Sequence, residues 1–575
     1  MPETSDQRAL AVSVSALSDD ALARLFADRD VSPSSAWRDL FDVAEALLDP
    51  TSVSRGLVLL PRAPAIALDV ASRQGVAVSD EVRADLVARA LVRDDGTPFQ
   101  AVTEAVVEAF PDGIPDATPR RRDHETAEGE AAAAESAFTN AASLADVLLV
   151  TLDAPLGRIG SGALGATERR RLVDAGAVPT ADDADLLVGL AATVGLLGSA
   201  GRAWLVTAEG RSWLRLPTLE RWERTARTLR DALPAAYRTD EGGWLDVDCW
   251  AGATPFDPTA PERASVWTAR LRAWGLIDSE GMVPEWARGL AKGGAPEPAR
   301  LRELLPPEVD RVYLQNDLTA IAPGPLAPHL DVRLRTMSTR ESRAQASSYR
   351  FSPASIAAAI TAGETAASLR EFLTGLSLTG LPQPLAYVIE RTSAEHGRVR
   401  VADDVASGFA RVSTDDPTLR RSLEVDQSLR ALSLSPDGDD LVSHVGADAV
   451  FWALSDAHYP VVAVDADGRA RTLDRARLAA DEPTVDPADV YGPLIARLRA
   501  GVEDSDAAWL ERELDQAVRT RAVIDVTVRL PDGAARVFRL EATGLGGGRL
   551  RGRDRAADVE RTVPLSHIDG IRPAD

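Results

Sequence analysis

Apolar residues recur at helical spacing through roughly the first half of this chain and at every second residue in the tail beyond Arg519. One layer architecture cannot satisfy both periods, so the fold class expected is α+β and multidomain. Length points the same way. A single hydrophobic core stops growing near ~250–300 residues, and the chain has 575.

The first segment, 1–110, reads as a helical module. Leu17, Leu22, Leu25 and Phe26 share a face behind the capping run Ser18-Asp19-Asp20, and Trp37, Phe41, Ala44 and Leu48 repeat the period until Asp49-Pro50 stops it. From 111 to 141 the sequence is built of charge blocks and alanine with almost no large apolar residue, so a flexible linker is expected. It contains Arg120, Arg121 and Arg122, which read as solvated linker charge. Residues 142–233 follow a winged-helix order: three helical stretches, the last ending near Val194, then a turn and a short β-wing in GLLGSAGRAWLVTAEGRSWL. A second winged-helix-like unit is expected at 234–304, where Trp267, Leu271, Trp274 and Leu276 form a helical stripe before a hairpin-type turn at Ser279-Glu280-Gly281.

Residues 305–475 form a further α/β unit. A strand or hairpin is expected at Val312 to Ile321, and a helix near Leu326 to Thr336. In SSYRFSPASIAAAI, Ser352 suits a helix cap and Pro353 the first helical position, and two more helices follow at Thr365 to Leu376 and Gln383 to His396. The alternating RVRVADD and GFARVS would then form a wing beside the third helix. A connecting helix spans 486–518, and 519–575 reads as a small β-barrel from its strands and glycine-rich turns.

Several chemistries are excluded or disfavoured by residue counts. Cys249 is the only cysteine, so no internal disulfide and no thiolate metal cluster forms. Lys292 is the only lysine, and its surroundings, ARGLAKGGAPEP, lack the G-x-x-x-x-G-K-[ST] spacing that cradles nucleotide phosphates. The chain is therefore expected to be no enzyme of the helicase-motor kind. Gly160-Ser161-Gly162-Ala163-Leu164-Gly165 matches G-x-G-x-x-G formally, but it neither closely follows a strand nor opens a β-α-β unit, so it reads as a turn. The six histidines lie far apart without paired metal-ligand spacing. No cofactor, metal, catalytic residue or membrane segment is expected, and the chain reads as cytoplasmic.

Charge supplies the candidate site. The chain carries net −24, yet Arg311 to Arg400 holds ten arginines against seven carboxylates, and 519–575 holds eleven against eight. Positive islands in an acidic chain point to a polyanion. The candidate DNA-binding residues are Arg343, Tyr349 and Arg350 before the capped helix, Arg391 and His396 toward the end of the third helix, Arg398 and Arg400 in the wing, and Arg549, Arg551, Arg553 and Arg555 in the tail. Period-2 alternation sets Arg398 and Arg400 on one face of a strand and Val399 and Val401 on the other. Tyr349 as core and the arginines as surface ion-pair partners is the competing reading of the same residues.

YLQNDLTAIAPGPL, SSYRFSPASI and LPQPLAYVIERTSAEHGRVRV resemble blocks of the helicase-associated domain that precedes the motor in XPB-type DNA helicases, and that actinobacteria carry in separate, motor-free proteins. LSDDALARLFADRD and APLGRIGSGALG are similar to that family's leading helix and winged helix. The tail is similar to a WYL domain, a small barrel, but has Gly548-Arg549-Leu550 where the aromatic is expected. The resemblance implies a non-catalytic protein that binds DNA or partners a separate XPB-type helicase, in DNA repair or another DNA transaction. A winged-helix and WYL-type transcriptional regulator, and a protein-interaction adaptor without DNA contact, are the alternatives.

Overall fold

The computed structural model describes residues 5–116, 126–160, 162–343, 346–404, 409–474, 476–480, 485–500, 506–530, 534–555, 557 and 559–573. The chain is α+β and about half helical. Among the described residues, its apolar side chains gather into five clusters and its strands into four sheets, none closed into a barrel. No described helix is long and apolar enough to cross a membrane.

The N-terminal module is helical, as its periodicity requires. Ser18 caps Asp19–Asp28 by accepting from the Ala21 amide at 3.2 Å, and Leu22, Leu25 and Phe26 are buried. Asp49-Pro50 is both a stop and a start. Helix Leu40–Leu47 ends before it, and the Asp49 carboxylate caps helix Pro50–Val58 through the Thr51 amide. The core is finished from the far end of the chain. Tyr491, Leu494, Ile495 and Leu498, on helix Pro487–Ala500, lie in the same cluster as Leu22, Phe26 and Val53. The Tyr491 hydroxyl donates to the Val31 carbonyl at 2.8 Å, and Arg499 donates to the Ser15 carbonyl at 2.7 Å. The expected connecting helix 486–518 is thus two helices with separate tasks. The second, Asp506–Thr520, packs Leu514 and Ala517 beneath the C-terminal sheet.

The stretch 111–141 is not a linker throughout. From Ala127 it belongs to a 27-residue helix, Ala127–Asp153, in which Ala133, Ala134, Ala137 and Ala141 are buried. Alanine suits this position because the partner backbone comes so close. A Cβ on Gly275, whose φ is +62°, would lie 2.4 Å from the Ala133 carbonyl oxygen. Residues 117–125, which include Arg120, Arg121 and Arg122, lie outside the described residues.

After the long helix come strand Leu156–Gly157, helices Ala166–Asp174 and Ala181–Thr193, and the antiparallel strands Leu197–Ala200 and Ala203–Val206. The formal G-x-G-x-x-G run lies in the turn before Ala166, with Ser161 outside the described residues. The expected second unit at 234–304 is not a separate winged helix. Its described residues form helices and 3-10 turns without a named strand, and they share one apolar cluster with 133–233. Two tryptophans join the halves: the Trp222 indole donates to the Trp274 carbonyl at 2.8 Å, and Trp274 returns the bond to Trp222 at 3.0 Å.

Residues 305–475 hold two cores rather than one. In the first, an antiparallel sheet in the order Tyr313–Leu314, Thr319–Ala322, Ser347–Arg350, Thr339–Arg343 packs with helices Pro328–Thr336, Pro353–Thr361, Ala366–Leu376 and Gln383–Glu395. The Ser352 side chain accepts from the Ser355 amide and Pro353 opens the helix. In the second, the expected wing is the middle of a six-stranded sheet. Val399–Asp404 pairs antiparallel with Phe409–Ser413 and parallel with Val461–Val464.

The tail is an open sheet, not a barrel. Its order is Val559–Pro564, Arg549–Asp554, Ala535–Gly546, Val523–Arg529, Ile568–Pro573, and the two outermost strands are not paired to each other. Helix Asp506–Thr520 covers the inner face, so closure is not needed to bury it.

Leu494 is 1% exposed in the N-terminal core. Leu494→Ala is expected to cost about 2–5 kcal/mol, measured by urea unfolding. Limited proteolysis of that variant should cut first within 1–110, more than 380 residues away from the substitution in sequence.

Candidate nucleic-acid interface

One buried carboxylate pairs with two arginines of the central unit. Asp146, on the long helix, has a side chain 2% exposed and pairs with Arg335 and Arg340, which come from helix Pro328–Thr336 and strand Thr339–Arg343. Burial opposes the charge on Arg340, but Asp146 outweighs it and holds the guanidinium above its usual range. Next to this pair, the Tyr349 hydroxyl donates to Asp331 at 2.6 Å, and Arg335 lies 3.7 Å from the same carboxylate. Tyr349 is 1% exposed, so it belongs to the core and offers no face to a base. Burial, and then Asp331, push its phenol far above the usual tyrosine range.

Most of the proposed arginines are already matched. Arg350 pairs with Glu341, Arg391 with Glu395 at 3.1 Å, Arg398 with Asp416, and Arg400 with Asp415 at 3.0 Å. Val399 and Val401 are buried as alternation requires. The guanidinium groups beside them do reach the surface, but each meets a carboxylate from the loop after Phe409–Ser413. His396 ends helix Gln383–Glu395, half-buried, and burial lowers its imidazole pKa. The side chain of Arg343 lies outside the described residues. Arg391 shares its helix with Glu390 and Glu395, so this presumed recognition helix presents no net positive face. It does expose Tyr387, at 64%, an uncharged residue that a charge pattern does not single out.

The tail divides differently. In Arg549–Asp554 the strand period turns Leu550, Gly552 and Asp554 inward and Arg549, Arg551 and Arg553 outward. Arg553 lies between Glu541 and Glu560 on the neighbouring strands, and Arg555 pairs with Glu541 at 3.1 Å. Arg549 and Arg551 stand opposite Gly546 and Gly544 on one side and Pro564 and Thr562 on the other. Among the described residues neither has a carboxylate partner. Of the sequence-derived candidates whose side chains are described, these two are therefore the exposed, unmatched cations. No described group of three or more His, Cys, Asp or Glu side chains is placed to hold a metal.

Residues 312–436 match the family described as the helicase conserved C-terminal domain. The chain carries a helicase-associated domain. The match runs from the first strand of the central sheet, through the Asp331–Tyr349 pair and helix Gln383–Glu395, and on through strands Val399–Asp404 and Phe409–Ser413 of the six-stranded sheet. No curated protein matches the chain.

Within the helicase-associated domain, Tyr349→Phe is expected to cost about 1.5–3 kcal/mol, the worth of a hydrogen bond to a charged group. The phenol's folded pKa is raised, so its contribution is complete below the unfolded value near ~10 and is lost as pH rises through the folded value. Urea unfolding should show the gap between native and variant narrowing above about pH 10.

Proposed function

We propose that this chain is a cytoplasmic, non-catalytic partner of a separate XPB-type helicase, contacting DNA during repair or a related transaction. The observation that carries the reading is the helicase-associated domain at 312–436 in a chain whose single lysine lies outside any phosphate loop. Lys292 caps the short helix Arg288–Ala291, and the glycine after it serves packing. A Cβ on Gly293 would lie 1.8 Å from the Glu241 carbonyl oxygen. In the matched region the strand pairs are antiparallel except the one with Val461–Val464, unlike the parallel sheet of a nucleotide-binding motor lobe.

The charges divide the labour. In the domain Arg350, Arg391, Arg398 and Arg400 are neutralised by neighbours, which suits contact with a protein, while in the tail Arg549 and Arg551 have no carboxylate partner among the described residues. The elements from 127 to 206 follow winged-helix order and the tail is WYL-like in its small sheet, yet a sequence-reading regulator is the weaker reading. The helix that would enter the groove, Ala181–Thr193, opens with Asp182, Asp183 and Asp185, which repel phosphate.

The purified chain should hydrolyse no ATP above background, and Lys292→Ala should change nothing. Mixed with an XPB-type helicase, it should co-elute in gel filtration and alter the motor's DNA-stimulated ATPase. Hydrolysis that follows the chain through successive columns would overturn the non-catalytic reading, and absence of any complex would overturn the partnership.

A further inference from the structure

A cavity of about 240 Å³ opens at the corner where the winged-helix order turns from its helices to its wing. Three elements meet there without filling the space between them. Helix Ala181–Thr193 ends just before Val194, Gly195 turns the chain at φ +74°, and Leu196 leads into strand Leu197–Ala200. Helix Ala208–Trp213 closes against that corner at Gly210, where a Cβ would lie 2.3 Å from the Leu196 carbonyl oxygen. Helix Thr218–Asp231 supplies the remaining wall.

The lining divides by chemistry. Val194, Leu196 and Trp213 are buried and line the apolar part. The Trp213 indole N–H is already taken by the Thr225 hydroxyl at 3.0 Å, so the ring offers the cavity carbon rather than a donor. The rest of the lining is polar and led by two opposite charges, Glu209 and Arg224, whose side chains both reach solvent. Nη2 of Arg224 comes within 2.5 Å of Glu209 Oε1, yet that oxygen is buried and accepts no hydrogen bond. A buried carboxylate oxygen without a donor is an exception that calls for an occupant. Arg224 has five N–H donors, more than one carboxylate uses. Thr228 sends its hydroxyl proton to the Arg224 carbonyl at 3.0 Å and keeps lone pairs to accept another bond.

We propose that this cavity binds a free α-amino acid with a short apolar side chain, the size of leucine. The ammonium donates to Glu209 Oε1, the carboxylate accepts from Arg224, and the side chain lies against Val194, Leu196 and Trp213. A zwitterion is the solute that needs an acid and a base at one place. A plain carboxylic acid would set its charge against Glu209, and a plain amine would set its charge against Arg224. The space holds about eight waters at ~30 Å³ each, below the ~300–1,000 Å³ of pockets for drug-sized ligands, so the ligand is small. Water alone serves the site badly, because its apolar wall offers no hydrogen bond. The site stands apart from any DNA contact, and the proposal holds whether or not the chain binds DNA.

The full-length chain is titrated with L-leucine by isothermal calorimetry, and its thermal melt is followed as leucine is raised. Saturable binding and a rising Tm are expected. Leucinamide, which lacks the carboxylate, and the corresponding keto acid, which lacks the ammonium, should each bind about tenfold or more weakly, the loss of one charge-assisted hydrogen bond. Glycine, which leaves the apolar wall bare, should bind about ten- to a hundredfold more weakly than leucine. Glu209→Gln and Arg224→Gln should each weaken leucine binding by about tenfold or more. Their melts without leucine should match the native chain, because an ion pair that reaches solvent adds little stability. Val194→Phe, which fills the cavity, should abolish binding. No saturable signal with leucine would overturn the proposal. Equal binding of leucinamide or the keto acid would overturn recognition of a zwitterion, and leucine binding unchanged in both charge variants would overturn this site.

Discussion

Asp146 is the side chain on which the arrangement of the two halves depends. It sits inside the long helix of the N-terminal body and neutralises two arginines that belong to the helicase-associated domain. Attraction between buried charges is largely offset by the cost of removing them from water, so such a cluster adds less stability than its geometry suggests. Its requirement for a partner is strict all the same. If the domain moved away, Asp146 would lose both its counter-charges, and Arg335 would keep only Asp331 at 3.7 Å. The position of helix Pro328–Thr336 on the body is therefore specified by this charge pairing together with Val332, which packs against the apolar cluster of the body.

The positive segment that the sequence displays is smaller in space than in the chain. Arg311 to Arg400 is net positive, but the following residues, 401–475, carry seven arginines and fourteen carboxylates, and the sheet folds those carboxylates back beside the arginines. Arg411 alone meets Asp404, Asp437 and Asp440. A charge count over a window cannot see a partner just beyond its edge. The tail escapes because its glycines hold positions where partners would otherwise stand.

Local signals were legible and assembly was not. Ser18, Ser352 and Pro353 mark helix starts by hydrogen bonding and fixed φ, both properties of a few adjacent residues, and they appear where the sequence places them. The alternation of Val399 and Val401 with Arg398 and Arg400 likewise gave the correct faces but not the four further strands that flank the hairpin. The alanines at 133, 134, 137 and 141 misled because small side chains signal poor burial by composition, while in contact they permit close approach to Gly275. The expected barrel failed for a related reason: strand length and turns fix pairing between neighbours, but a covering helix removes the need to close. Of the candidate site, the free pair Arg549 and Arg551 was named from charge alone. Its distinguishing feature, glycine on the adjacent strand, depends on a bulge in the register.

The return of helix Pro487–Ala500 to the N-terminal core has a consequence for how the protein is made. Tyr491 closes onto Val31 across 460 residues of sequence. At ~5–20 residues per second, a ribosome needs roughly 20–90 s to supply that helix after the groove that receives it has emerged. Throughout that interval Leu22, Phe26 and Val53 form a core with one wall missing, apolar and open to solvent. The nascent chain thus offers a sticky surface for most of its synthesis, and helix Pro487–Ala500 is the one that retires it. Chaperone dependence during translation, rather than instability of the finished protein, is where this topology would be felt.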